Sequence, residues 1–132
     1  MTTRGIRNNN PLNIRHSPSR WKGMKRTQTD KAFVQFTDIT YGYRAAFALL
    51  RTYRTKYGCD TIRKIIQRWA PPNENNTEAY IRHVSEWSGI EADKPIGGQD
   101  ANAYIAIVAA MSRVENGQEA RMEDVIQGYR MV

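Results

Sequence analysis

Four apolar stripes at helical spacing, each closed by glycine or proline, constrain this chain more than any other feature. Ala46, Phe47, Leu50, Tyr53 and Tyr57 recur at the period of an α-helix that begins near Tyr41 and stops at Gly58. Asp60 or Thr61 caps a second stripe, Ile62, Ile65, Ile66 and Trp69, which Pro71-Pro72 closes. Asn75-Asn-Thr-Glu78 has the form of a capping box ahead of Tyr80, Ile81, Val84 and Trp87, and Gly89 follows. Asp100 precedes the most apolar stripe, Tyr104, Ile105, Val108, Met111 and Val114, which ends at Gly117. A last short helix is expected over about Met122–Tyr129. Residues 1–40 lack this period. There Phe33 and Gln35 alternate with Val34 and Phe36 in Lys31–Phe36, which predicts loop plus a small β-ribbon. The fold class expected is mainly α (α+β), as one domain over residues 1–132.

A chain of 132 residues can bury its own core without covalent staples. The single Cys59 excludes an internal disulfide framework and a thiolate zinc site, and His16 and His83 stand apart from other ligand types, so no metal is expected. No Gly-rich phosphate loop calls for a nucleotide, and no cofactor is expected. The segment MTTRGIRNNNP has no apolar core of a signal peptide, and no apolar run reaches the ~18 residues of a membrane span. The net charge of +7 calls for an acidic partner. Basic residues spread along the chain without a block of five or six, which predicts a charged folded face rather than a disordered arm.

The segment Gly5-Ile-Arg-Asn-Asn-Asn-Pro-Leu-Asn-Ile-Arg15 holds four Asn within six residues. Asn side chains offer donors and acceptors and tolerate left-handed backbone. One reading is a surface loop whose amides satisfy their own backbone. The other is a site anchored to the core by Ile6, Leu12 and Ile14.

This segment resembles the opening motif of small phage and prophage proteins, some described as virion structural proteins. It is also similar to the Asn-Asn-Leu-Phe-Gly-Ile-Lys element of the glucosaminidase and flagellar muramidase group, which has a lysozyme-like fold. The likeness continues in order over about residues 4–90. Trp21-Lys-Gly23 resembles that group's W-x-G, and Phe33–Phe36 its strand entering F-R-x-Y. Tyr41–Leu50 resembles the helix ending in paired leucines, and Trp69–Tyr80 the Y-A-T-D-P-x-Y segment lining the glycan groove. The resemblance implies a lysozyme-like domain acting on peptidoglycan glycan strands. Asn9, Asn10, Asn13, Asn75, Trp21, Tyr43, Trp69 and Tyr80 would line the groove, where flat rings stack on sugars. Arg15, Arg44 and Gln28 would meet peptide-stem or lactyl carboxylates. Trp87, on its stripe, is expected in the core.

One departure matters. In the glucosaminidase group a catalytic glutamate ends a helix that precedes the Asn-rich motif, and from Met1 there is no room for that helix. Three explanations stand: catalysis is lost and glycan binding kept; Glu74 serves as the acid; or the helix comes from the far end of the chain, a circularly permuted arrangement. Tyr104–Gly117 resembles the lytic transglycosylase helix that ends in Glu-Ser-Gly, with Glu115 in the acid's place. An acid against an apolar wall near the negative helix end has its charged form disfavoured, as a general acid requires. Against this, Glu115 would be a solvated residue paired with Arg113 or Arg121, and Glu74 part of a helix cap.

The first function expected is therefore cleavage of peptidoglycan glycan strands by general acid/base catalysis, of the muramidase, glucosaminidase or lytic transglycosylase type. Asp30 or Asp38 would supply the second carboxylate that paired hydrolysis needs. The alternative is a non-catalytic glycan-binding or virion structural protein. A nucleic-acid-binding role rests on charge alone, with no recognised motif. The chain is expected to act as a monomer. It would be made in the cytoplasm and carried to the cell wall by phage or lysis machinery.

Overall fold

A computed structural model of the chain describes residues 2–73 and 75–132. Among the described residues six helices form: α1 (Arg4–Arg7), α2 (Ile39–Tyr57), α3 (Ile62–Trp69), α4 (Thr77–Ser88), α5 (Ala101–Asn116) and α6 (Met122–Arg130). The stripes behave as their spacing requires. Thr61 and Asp100 cap α3 and α5 by accepting backbone N–H groups, and Gly58, Gly89 and Gly117 end α2, α4 and α5 in left-handed conformation. Helix α5 runs through the centre, with Ile107, Val108 and Met111 fully buried. Helices α2, α4 and α6 pack around it. No described helix is long and apolar enough to cross a membrane.

Three expectations are corrected. The capping box before α4 does not form: Asn76 alone caps by accepting from Ala79 N, while Glu78 turns to Arg63 at 3.2 Å. Trp87 is 37% exposed rather than buried. It sits in the last turn of α4, where its ring lies flat on His83 at 5.0 Å under the Arg113 guanidinium. The β-ribbon is absent as well, since no strand forms among the described residues and only isolated bridges join Arg15 to Phe33 and Met24 to Phe36.

The physical reason for the missing ribbon lies in the side-chain amides. Asn10, wholly buried, donates to the carbonyls of Ile14 and Val34 and accepts from Ile14 N. Asn9 donates to Phe36 O, the Gln28 amide donates to Gln35 O and accepts from Gln35 N, and the Gln35 amide oxygen accepts from Thr29 N. These amides occupy backbone groups that a ladder would have paired, a competition polar side chains commonly win in turns. Asn9 and Asn13 both adopt φ of 54°, which Asn tolerates better than most residues. The segment is thus a stitched loop, ordered without being a strand.

Gly42 in α2 lets this loop approach. A β-carbon there would lie 2.2 Å from Asn9 O and 2.8 Å from the Pro11 ring. Helix propensity alone favours Ala over Gly by about 1 kcal/mol. Here overpacking against backbone outweighs it, and we expect Gly42→Ala to destabilise by about 2 kcal/mol or more. Urea denaturation checks this; a stabilised variant would show that the loop gives way freely.

Candidate functional site

The stitched loop docks on the C-terminal end of α5. Asn116, the last residue of α5, is buried there. It donates to Pro11 O at 2.7 Å and accepts from the Thr3 hydroxyl at 2.6 Å. One residue earlier, Glu115 turns its carboxylate between the loop and α4. Asn13 Nδ2 donates to Oε1 and the Tyr80 hydroxyl to Oε2, both at 2.9 Å. Three distant parts of the chain, residues 13, 80 and 115, therefore meet on one carboxyl group.

The environment of Glu115 raises its pKa above the ordinary 4.5. Burial is the largest cause, because the charged form loses water that the neutral form misses less. The hydrogen bonds from Asn13 and Tyr80 favour the charged form, as does the positive charge of Arg15, but burial wins. Tyr80, only 7% exposed, has its own pKa raised well above 10.0 by burial and by the adjacent carboxylate. It therefore donates to Glu115 as a neutral phenol. The pairing of Glu115 with Arg113 or Arg121 weighed from the sequence is not formed; those arginines meet Glu119 and Glu123.

Asn13 also lines a cleft of about 250 Å³ with Arg15, Trp21, Leu49, Tyr53 and Trp69. The Tyr53 and Trp69 rings stand 6.0 Å apart, tilted by 59°. Aromatic, aliphatic and polar side chains share its lining, and Asn13 links it to the Glu115 carboxyl. Of the residues expected to bind substrate, Asn13, Arg15, Trp21 and Trp69 come together here, and Tyr80 joins them through Glu115. Tyr53 and Leu49 were not foreseen as cleft residues. Their signal was present, one turn apart on the same face of α2 as each other, but it reads equally as core.

The remaining expected residues are placed elsewhere. Asn10 is buried, its amide fully engaged inside the loop. Tyr43 is buried against Ser112 at 2.9 Å. Asn9 holds Phe36 O, and Gln28 holds the carbonyls of Lys25 and Gln35. Arg44 donates to Met131 O beyond α6, and Asn75 to Pro71 O on an exposed turn. These side chains build the fold rather than face the cleft. Glu74 lies outside the described residues.

The two aspartates weighed as partner carboxylates are also engaged. Asp30 receives Arg4 through two nitrogens, at 2.7 and 2.6 Å, together with Asn8 and the backbone of Ala32 and Phe33. The Arg4 hydrogen bonds, followed by those from Phe33 and Asn8, hold its carboxyl far below the usual range. Asp38 caps α2 through Thr40, which likewise lowers its pKa. A carboxylate so saturated is a poor general base.

Charge is distributed unevenly around this site. Seven of the 20 basic residues precede the first acidic residue, Asp30, and from Asp30 onward 13 basic residues match 13 acidic ones. The whole net charge of +7 thus belongs to the segment that carries the loop and one wall of the cleft. Arg20, Lys22, Lys25 and Arg26 are exposed there, with no ion pair among the described residues. A positive, partly aromatic surface of this kind attracts polyanions.

No protein-family model matches the chain. It is 39% identical over 127 residues to protein P5 of Pseudoalteromonas phage PM2, an alignment covering 94% of this chain and 78% of that protein.

Proposed function

The chain belongs to the family of protein P5 of Pseudoalteromonas phage PM2, and from that phage relationship we propose that it cleaves peptidoglycan glycan strands with Glu115 as general acid. The observation carrying this reading is the Glu115 carboxyl. Burial raises its pKa, Asn13 and Tyr80 orient it, and Asn13 connects it to an aromatic and polar cleft. A carboxylic acid kept neutral near the working pH can protonate a glycosidic oxygen.

The contact between Asn13 and Glu115 also supports the permuted lysozyme-like arrangement. It joins the Asn-rich motif to the helix that resembles the transglycosylase acid helix, although the two lie at opposite ends of the chain. The mechanism follows from the single acid. Glu115 gives its proton to the bridging oxygen as the C1–O bond breaks, and the leaving sugar departs as an alcohol. With Asp30 and Asp38 engaged elsewhere, no second carboxylate is assigned to capture C1. A hydroxyl of the same sugar attacks instead, returns its proton to Glu115 and leaves an anhydro ring. The charge of residues 1–29 supports a polyanionic wall as target, because stem and lactyl carboxylates would face Arg15 and the exposed cations nearby.

A second reading, non-catalytic glycan binding, is favoured by the fact that both Glu115 oxygens already hold protein donors. Incubating the protein with purified peptidoglycan and weighing the soluble products by mass spectrometry separates the two. We expect released muropeptides one water lighter than hydrolytic products. Pelleting with the wall, with no release at any pH, would reject cleavage in favour of binding.

A further inference from the structure

We infer that a second cavity, walled by α2, α5 and α6, binds a small oxyanion, a carboxylate or a phosphate. This is independent of the proposed cleavage at Glu115. Phe47, Arg51 and Arg54 lie at positions i, i+4 and i+7 of α2, so they share one face. With Tyr104 of α5 and Tyr129 of α6 they line a hollow of about 200 Å³. That is smaller than sites for drug-sized ligands, which start at roughly 300 Å³, so the occupant is a single charged group with little attached.

One of the two cations is held in place. Arg54 donates through Nη1 to Ile96 O at 2.5 Å, and its guanidinium lies against Gly98, where a β-carbon would come within 2.7 Å of Nε. Glycine at 98 thus leaves the planar group its place. Among the described residues neither Arg51 nor Arg54 has a carboxylate partner. The nearby N-cap carboxylate, Asp100, is turned to Ala103 N.

The second observation is Tyr104. The residue is 7% exposed, and its hydroxyl is buried with no hydrogen-bond partner in the protein. Buried hydroxyls are rarely left unpaired, because the lost water bond costs stability. An oxyanion at the two guanidiniums would supply an acceptor for it, and planar guanidinium donors match carboxylate and phosphate oxygens. The edge-to-face pair of Phe47 and Tyr129, 5.2 Å apart, gives the apolar wall that a short organic tail would touch.

Titration of the full chain with inorganic phosphate and, separately, with propionate tests this, read by the NMR signals of the arginine Nε–H groups and compared with chloride at matched ionic strength. We expect saturable shifts at Arg51 and Arg54. Phosphate binding tighter than propionate would identify a phosphate site, and the reverse order a carboxylate with its tail on the aromatic wall. Arg51→Gln, which breaks no ion pair among the described residues, should weaken binding about tenfold. Tyr104→Phe should weaken it too while leaving the protein folded, and Glu115→Gln should leave it unchanged. Shifts that rise linearly and match those from chloride would overturn the inference. So would unaltered binding in both Arg51→Gln and Tyr104→Phe.

Discussion

Replacing Glu115 by glutamine is expected to lower muropeptide release by about 10²–10⁴-fold, the usual contribution of a positioned general acid, without unfolding the protein. Glutamine fills the same space: its oxygen can accept from Asn13 Nδ2 and its amide can donate to the Tyr80 hydroxyl. The stability change has a definite sign. Because the Glu115 pKa is raised in the folded chain, the folded state holds a proton that the unfolded state has already released. Stability is therefore lost as pH rises from the unfolded value through the folded one. Glutamine does not titrate, so the variant should melt at the same or a higher temperature than wild type at neutral pH, with the difference closing in acid. A purely structural carboxylate paired with a cation would give the opposite stability result. Activity of wild type should fall as pH rises through the same pKa, since the acid form does the work. Tyr80→Phe removes a donor to the charged form, so that alkaline limb should move to higher pH. A limb that stays in place, or release by Glu115→Gln within a few-fold of wild type, would remove Glu115 from the chemistry.

The largest stability loss is expected at Asn10. Its amide satisfies Ile14 N, Ile14 O and Val34 O in a site with no water access. Asn10→Ala leaves Ile14 N and Val34 O unpaired, while Ile14 O keeps only its bond from Val34 N, and each buried unpaired group costs about 1–3 kcal/mol. We expect a total of about 3–5 kcal/mol, a large part of the roughly 5–15 kcal/mol that holds a typical domain together. Asn10→Asp should be at least as damaging, because a carboxylate cannot donate to either carbonyl and its charge would be buried. Chemical denaturation followed by circular dichroism measures both. A loss below about 1 kcal/mol in the alanine variant would mean that water or backbone shifts replace the amide.

These two residues mark the boundary between what the chain announces locally and what it does not. The bounds of α2, α3 and α5 follow from apolar spacing and from capping residues that act within one turn of themselves, so the sequence carries them almost to the residue. Trp87 had the same spacing and still lies exposed, because a stripe says which face a residue occupies but not whether the core reaches that far along it. The Lys31–Phe36 segment had the alternation of a strand. Asn9 and Asn10, which are remote in sequence, and Gln28, just outside the segment, took its backbone partners, and alternation carries no information about them.

The Asn-rich motif divides in the same way. That Asn would tolerate left-handed backbone and bond its own loop is a property of the residue, and Asn9 and Asn10 express it. The likeness of Asn9 and Asn10 to groove residues did not reveal that their amides face inward. Glu115 was legible as an acid at the apolar end of α5. Its pairing with Asn13 and Tyr80 was not, since three residues so far apart are brought together only when the loop docks on Asn116 and α4 packs beside α5. By itself, then, the sequence determined the helices, their ends and a short list of polar groups, because those depend on forces acting over a few residues. Only the tertiary structure decided which of those groups share one buried site, because burial is a property of the packed whole.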